Sequence, residues 1–187
     1  MADLVTLANV KSYLWPGESI TLWDAILPTI IAAVSARVKL ELGFEPLSTT
    51  YTAAKASGKG TSALELAHWP ITAVASIVDQ EGVAYTVGYD HSYVIETFCL
   101  RRMGEYVWAK GSGNFTVTYT AGYAAIPSDI ALVCYELIAR AWKTMKEQGW
   151  GETGRTMPDG STSTVNADAA FTKAQREILA KYKRPII

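Results

Sequence analysis

The stretch Phe115-Thr116-Val117-Thr118-Tyr119-Thr120-Ala121-Gly122-Tyr123-Ala124-Ala125-Ile126-Pro127-Ser128-Asp129-Ile130 marks the point where a strand with strict alternation stops and a long helix begins. Phe115, Val117 and Tyr119 fall on one face of an extended chain and Thr116, Thr118 and Thr120 on the other. A period of two built from β-branched and aromatic residues predicts a strand. Gly122 permits a sharp redirection, and Pro127 pushes Ile126 toward an extended conformation. Ser128 or Asp129 can accept hydrogen bonds from the free amides of the next turn. Gly122, Tyr123, Pro127 and Asp129 thus define a strand-to-helix corner.

Beyond the corner the periodicity changes. Ile130, Val133, Cys134, Leu137, Ile138, Ala141 and Trp142 recur at three and four residues, Lys143 and Lys146 suit a helix C-terminus, and Gly149 is the natural stop. Upstream, Thr6 to Trp15 reads as a short helix with Thr6 as N-cap, ended by Pro16-Gly17. A second helix is expected from Thr21, with Asp24 in a capping-box position, through Ile26, Ile30, Val34, Val38 and Leu42 to Gly43. Pro28 falls inside it and predicts a kink or a break.

Between these helical ends, short strands alternate with turn signals: Thr50 to Ala56, Ala63 to Leu66, Ile71 to Val78, Val83 to Val87, Tyr93 to Leu100 and Tyr106 to Trp108. The pattern predicts an antiparallel meander. From Gly149 to Asn166 the chain is rich in Gly, Ser, Thr and Asp, which predicts a flexible loop. A last helix, opened by Asn166 or Asp168, carries Ala170, Phe171, Ala174, Ile178, Leu179 and Tyr182 as its apolar stripe and stops at Pro185.

Val117, Tyr119, Ala121, Gly122, Tyr123, Pro127, Asp129, Glu136, Leu137, Ile138 and Trp142 follow a strand, Gly-Tyr corner and helix pattern, and Trp69-Pro70-Ile71 leads into Val74, Ile77, Val78 and Gly82. With the two N-terminal helices, these residues resemble the head-tail connector (adaptor, or head completion) proteins of tailed bacteriophages. The insertion of Gln80 and Glu81 between Asp79 and Gly82 departs from the family's shorter hairpin.

The expected fold is α+β: a predominantly helical bundle of three to four helices with an antiparallel β-meander inserted between the second and third long helices. One domain is expected over residues 1–187, divided into N-terminal helices (1–48), meander (49–120), helix (127–148), flexible loop (149–166) and C-terminal helical arm (167–185).

With 187 residues, 49% of them hydrophobic and 19% charged, the chain can bury a substantial core without disulfides or metal. A formal net charge of −1 argues against a protein whose main task is to grip nucleic acid, which demands clustered cations. Cys99 and Cys134 sit in apolar patterns and read as buried thiols. Asp3 interrupts a start with no basic region, so no signal peptide is expected, and no apolar run reaches the roughly 20 residues of a membrane span. A soluble protein made in the cytosol is the expectation.

Enzyme signatures fail in turn. Ser57-Gly58-Lys59-Gly60-Thr61 lacks the spacing of a phosphate loop, since Ala53 stands where the first glycine belongs and Gly60 follows the lysine. His68, His91, Cys99 and Cys134 have no zinc-ligand spacing. Asp90-His91-Ser92 holds the letters of a hydrolytic triad, but adjacent residues on an extended chain point apart. No catalytic residue, metal or cofactor is expected. Trp15, Trp69, Trp108 and Trp150 at turns or edges leave a carbohydrate-binding module as the alternative, with a small hydrolase behind it.

The resemblance implies a structural virion subunit at the head-tail interface, present in the host cytoplasm during assembly. It would be monomeric when free and form a homo-oligomeric ring, a dodecamer, beneath the portal protein. The ring would extend the channel for packaged DNA without reading its sequence, and dock a stopper or tail-completion protein. A ring needs two different complementary patches on each copy. Trp108, Trp150, Phe171, Ile178, Leu179 and Tyr182 are the candidate portal or subunit interface.

Overall fold

The computed structural model describes residues 2–18, 20–88, 93–148, 154–156, 162–164 and 171–183. The chain divides into two compact units, one of Met1–Leu42 with Ile126–Lys183, the other centred on Gly43–Ala125.

The first unit is helical. Helix α1 (Leu7–Leu14) starts where the Thr6 hydroxyl accepts the Asn9 amide at 3.3 Å. Helix α2 (Leu27–Leu42) begins one residue before Pro28, and residues 22–26 form turns in place of the helix expected from Thr21. In the first helical turn the amide that proline lacks would have no intrahelical acceptor, so Pro28 starts α2 and does not bend it. Gly43, at φ 78°, ends it.

Helix α3 (Ser128–Gln148) buries Ile130, Val133, Cys134, Leu137, Ile138 and Trp142 on one stripe. Facing it are Leu27, Ile31, Val34, Val38 and Leu42 of α2, and each such fully buried aliphatic contributes about 1.5–3 kcal/mol. Trp142 meets Trp15 and Trp23 edge-on, with ring centroids 5.4 and 4.6 Å away, and Tyr13 stacks on Tyr135 at 5.2 Å. Burial pushes the Cys134 thiol up to about 12, which makes it an inert core residue.

The second unit contains β1 (Thr49–Gly58), β2 (Ala63–Glu65), β3 (Ile71–Asp79), β4 (Ala84–Tyr85), β5 (Tyr93–Ile95), β6 (Cys99–Arg102) and β7 (Gly111–Ala121). They form two antiparallel sheets, ordered β1-β7-β3-β4 and β2-β6-β5. Within the segment expected as a flexible loop, β8 (Gly154–Thr156) pairs antiparallel with β9 (Thr162–Thr164). Helix α4 (Lys173–Ala180) completes the first unit.

Two features of the expected fold are corrected here. The chain is not a predominantly helical bundle: strands occupy about as much of it as helices, and the β unit has its own core of Leu64, Ile77, Leu100, Trp108, Phe115 and Val117. Nor is the sheet a meander. The last long strand, β7, returns to lie between β1 and β3, pairing with both, because its alternating face supplies the Phe115, Val117 and Tyr119 that this core needs at its centre.

Single elements also differ from the expectation. The run from Tyr93 to Leu100 is interrupted at residues 96–98 and folds into the β5–β6 hairpin, where the Glu96 amide donates to Cys99 O at 2.9 Å. Tyr106 and Val107 form no strand. Trp69-Pro70 is a cis peptide.

Candidate functional site

The corner divides between the two units. On the β side, Gly122 has φ +106°, a region that side chains resist, and its amide donates to Pro70 O at 2.9 Å. A Cβ there would lie 2.5 Å from Leu47 O and 2.6 Å from Leu47 C, so glycine is required both by conformation and by the close approach of a second backbone segment. Tyr123 completes that junction, its amide donating to Pro46 O at 2.8 Å and its carbonyl accepting from Ser48 at 2.9 Å. The end of β7 is thereby tied to the segment leading into β1.

On the helical side, the Pro127 carbonyl accepts the Ala131 amide at 3.0 Å and Asp129 stands in the first turn of α3, where an acidic group suits the helix dipole. Asp129 Oδ1 also accepts the Tyr182 hydroxyl at 2.6 Å.

Tyr182 belongs to the C-terminal arm, and α4 packs within its own unit against α2 and α3. Phe171 and Leu179 are buried there, with Arg37 over the Phe171 ring at 5.3 Å, while Ile178 and Tyr182 are half-buried. Gln175, also buried, donates to Glu136 Oε2 at 2.7 Å, and Lys183 donates to Glu41 Oε1 at 2.8 Å, holding the Glu41 carboxyl below its ordinary range. The helix opens on a capping box in which Thr172 and Gln175 exchange side-chain and backbone hydrogen bonds at 3.2 and 3.0 Å. That T-x-x-Q signal stands in the sequence downstream of the Asn166 and Asp168 start expected there, and those two positions lie outside the described residues.

Trp108 is fully enclosed in the β core, its indole NH donating to Leu100 O at 2.9 Å. Trp15 packs on Trp142 of α3 and Trp69 lies 4.8 Å from Phe44, so the described tryptophans form no single row on one sheet face. Trp150 lies outside the described residues, as do the Asp90-His91-Ser92 letters. The Ser57 to Thr61 stretch links β1 to β2 and precedes no helix; Lys59 pairs with Glu65 at 2.7 Å.

One cluster was not singled out from the sequence. The Arg102 guanidinium sits over three rings, 5.1 Å from Tyr85, 5.2 Å from Tyr106 and 5.4 Å from Trp108. Tyr106 and Val107 beside it are exposed. Among the described residues no group of three or more His, Cys, Asp or Glu side chains could hold a metal ion, and no helix is long and apolar enough to cross a membrane.

The arrangement offers packing surfaces and backbone ties, and comparison with known proteins points the same way. A virion structure of the native gene transfer agent particle contains a chain of the same fold, with TM-score 0.61 and 17% identity over 98% of this chain and 91% of that one. A neck of the empty gene transfer agent particle, computed with C6 symmetry, matches with TM-score 0.59 and 17% identity over 98% and 91%. A neck of the native particle, computed with C12 symmetry, matches with TM-score 0.57 and 16% identity over 100% and 96%. At such identities the likeness shows the fold. No curated protein matches the chain. The model of the head completion protein family, a structural family and not a class of enzymes, matches residues 3–185 and so spans nearly the whole sequence. The chain belongs to the head completion protein family.

Proposed function

We propose that this chain is a non-enzymatic connector subunit at the neck of a tailed phage or phage-like particle, where copies form a ring between the portal and the tail. The family match over residues 3–185 carries the reading. The neck structures with the same fold, computed with C6 and C12 symmetry, support a ring, and a dodecamer suits the C12 neck. A formal charge of −1 suits a subunit beside passing DNA, because phosphate-neutralising cations would hold the duplex in the channel. One face of the ring would meet the portal and the other a stopper or tail-completion protein. In this reading Ile178 and Tyr182, half-buried on the arm, are the members of the expected interface that, among the described residues, keep surface for a partner.

The test is genetic and structural. Particles assembled without the protein should accumulate as DNA-filled heads lacking tails, and adding the purified chain to them should restore tail joining. Complete, tailed particles lacking this chain would overturn the proposal.

A further inference from the structure

Two arginines stand side by side on β6 and end differently. Arg101 is exposed and its fork is filled by Glu96, whose carboxylate accepts from Nε and Nη2. Arg102, half-buried on the opposite face, lies among three rings, and among the described residues no carboxylate pairs with it. Its Nε is enclosed with no acceptor, and Nη1 has only Val107 O at 3.3 Å. Asp79, which shares Tyr85 with it, is already used: its carboxylate accepts the Glu81 and Val83 amides and the Tyr85 hydroxyl. Ring faces attract a guanidinium but do not replace the acceptors it leaves behind in water. The surface beside it is apolar. Tyr106 is 68% exposed, Val107 is exposed, and exposed Val87 bridges to Tyr93, the residue paired with Arg102 in the β5–β6 ladder.

We propose that this corner of the β unit is a docking site for an acidic segment of another protein, in which one Asp or Glu lies between apolar residues. The carboxylate takes the Arg102 Nη groups, as Glu96 takes the fork of Arg101, and the apolar neighbours cover Tyr106, Val107 and Val87. Charge selects this occupant. A purely apolar partner would bury the guanidinium and still leave it without an acceptor. Nucleic acid fits no better, since phosphate binding takes a cluster of cations, whereas the rings hold one guanidinium and the exposed Glu105 precedes Tyr106. A single carboxylate needs only the one. Because three rings already fix the Arg102 head, little side-chain freedom remains to be lost on binding, and a lone charged pair then adds to affinity. In a neck the segment belongs to a neighbouring protein; that clause alone rests on the connector reading.

The test uses the full chain in solution, with acetyl-Leu-Asp-Phe-amide as the probe and acetyl-Leu-Asn-Phe-amide as its neutral control. Enclosure protects the Arg102 Nε proton from exchange, so its resonance can be followed and is assigned by its loss in Arg102→Gln. The Asp peptide should shift that resonance and saturate in the millimolar range, with a response to the Asn peptide about tenfold weaker or less. Arg102→Gln should abolish the shifts of the Tyr106 and Val107 amides. Tyr106→Ser alters a largely exposed side chain, so the fold is kept, and it should weaken the peptide about threefold or more. No shift with the Asp peptide overturns the site. So does an equal shift with the Asn peptide, inorganic phosphate or an oligothymidylate, or unchanged binding by Tyr106→Ser. Absence of the wild-type chain from purified particles overturns the connector reading instead, while the titration still decides the site.

Discussion

The Tyr182 hydroxyl donates to Asp129 Oδ1 at 2.6 Å, so the last turn of the C-terminal arm is fastened to the first turn of α3. With Leu179 fully buried and Gln175 bonded to Glu136 nearby, α4 belongs to the core of the helical unit.

Deleting everything after residue 170 should therefore destabilise the protein by several kcal/mol, since it strips Phe171 and Leu179 from the core and leaves Glu136 and Asp129 without these partners. Denaturant melts would measure it. Tyr182→Phe removes only the hydroxyl and should cost about 1 kcal/mol. A truncated chain that melts as the full one does would show that the packing of α4 adds nothing to stability.

Gly122→Ala should cost about 3 kcal/mol or more. The substitution places a Cβ 2.5 Å from Leu47 O at a φ of +106°, and both the strain and the collision must be relieved by moving the β7 end away from the segment into β1. An unchanged thermal midpoint would refute this account of the junction.

Ala53 has φ 52° at a bulge in β1, between the Tyr51 and Ala54 register positions. Glycine relieves a left-handed strain of about 1–2 kcal/mol but adds about 0.4–1 kcal/mol of unfolded-state entropy. Ala53→Gly is expected to stabilise the protein by up to about 1.5 kcal/mol and Ala53→Val to destabilise it, as urea midpoints would show.

The His68 ring stacks on Tyr51 at 3.9 Å, and burial lowers its pKa below the ordinary 6.5. The unfolded chain takes up the proton first as pH falls. Stability from the neutral ring is thus complete above about pH 6.5 and drains away below it, toward the folded pKa. His68→Phe keeps the stack and should flatten stability against pH between about 7 and 5. An unchanged slope would assign the proton uptake to another group.

Much of the fold was written in local pattern. The Thr6 cap, the α3 stripe from Ile130 to Trp142 and the alternation of β7 all act over a few residues, and each can be read from spacing alone. The family, too, was legible in the Val117 to Trp142 pattern and the N-terminal helices, and the match over residues 3–185 agrees with it. The Thr172 capping box was equally local and simply stands downstream of a weaker start signal.

Tertiary structure decided what depends on partners distant in sequence. Alternation along Phe115 to Ala121 is the same whether β7 sits at an edge or at the centre. Pairing with β1 and β3 puts it at the centre and makes a β unit with its own core in place of a meander on a helical bundle. The stripe of α4 likewise shows which side of the helix is apolar, while the groove of α2 and α3 determines where it goes. Tyr106 and Trp108 follow Arg102 closely in sequence, but only the fold brings Tyr85 of β4 to the same guanidinium. Periodicity encodes which face of an element is buried; what buries it is set by the free energy of packing elements that the sequence holds far apart.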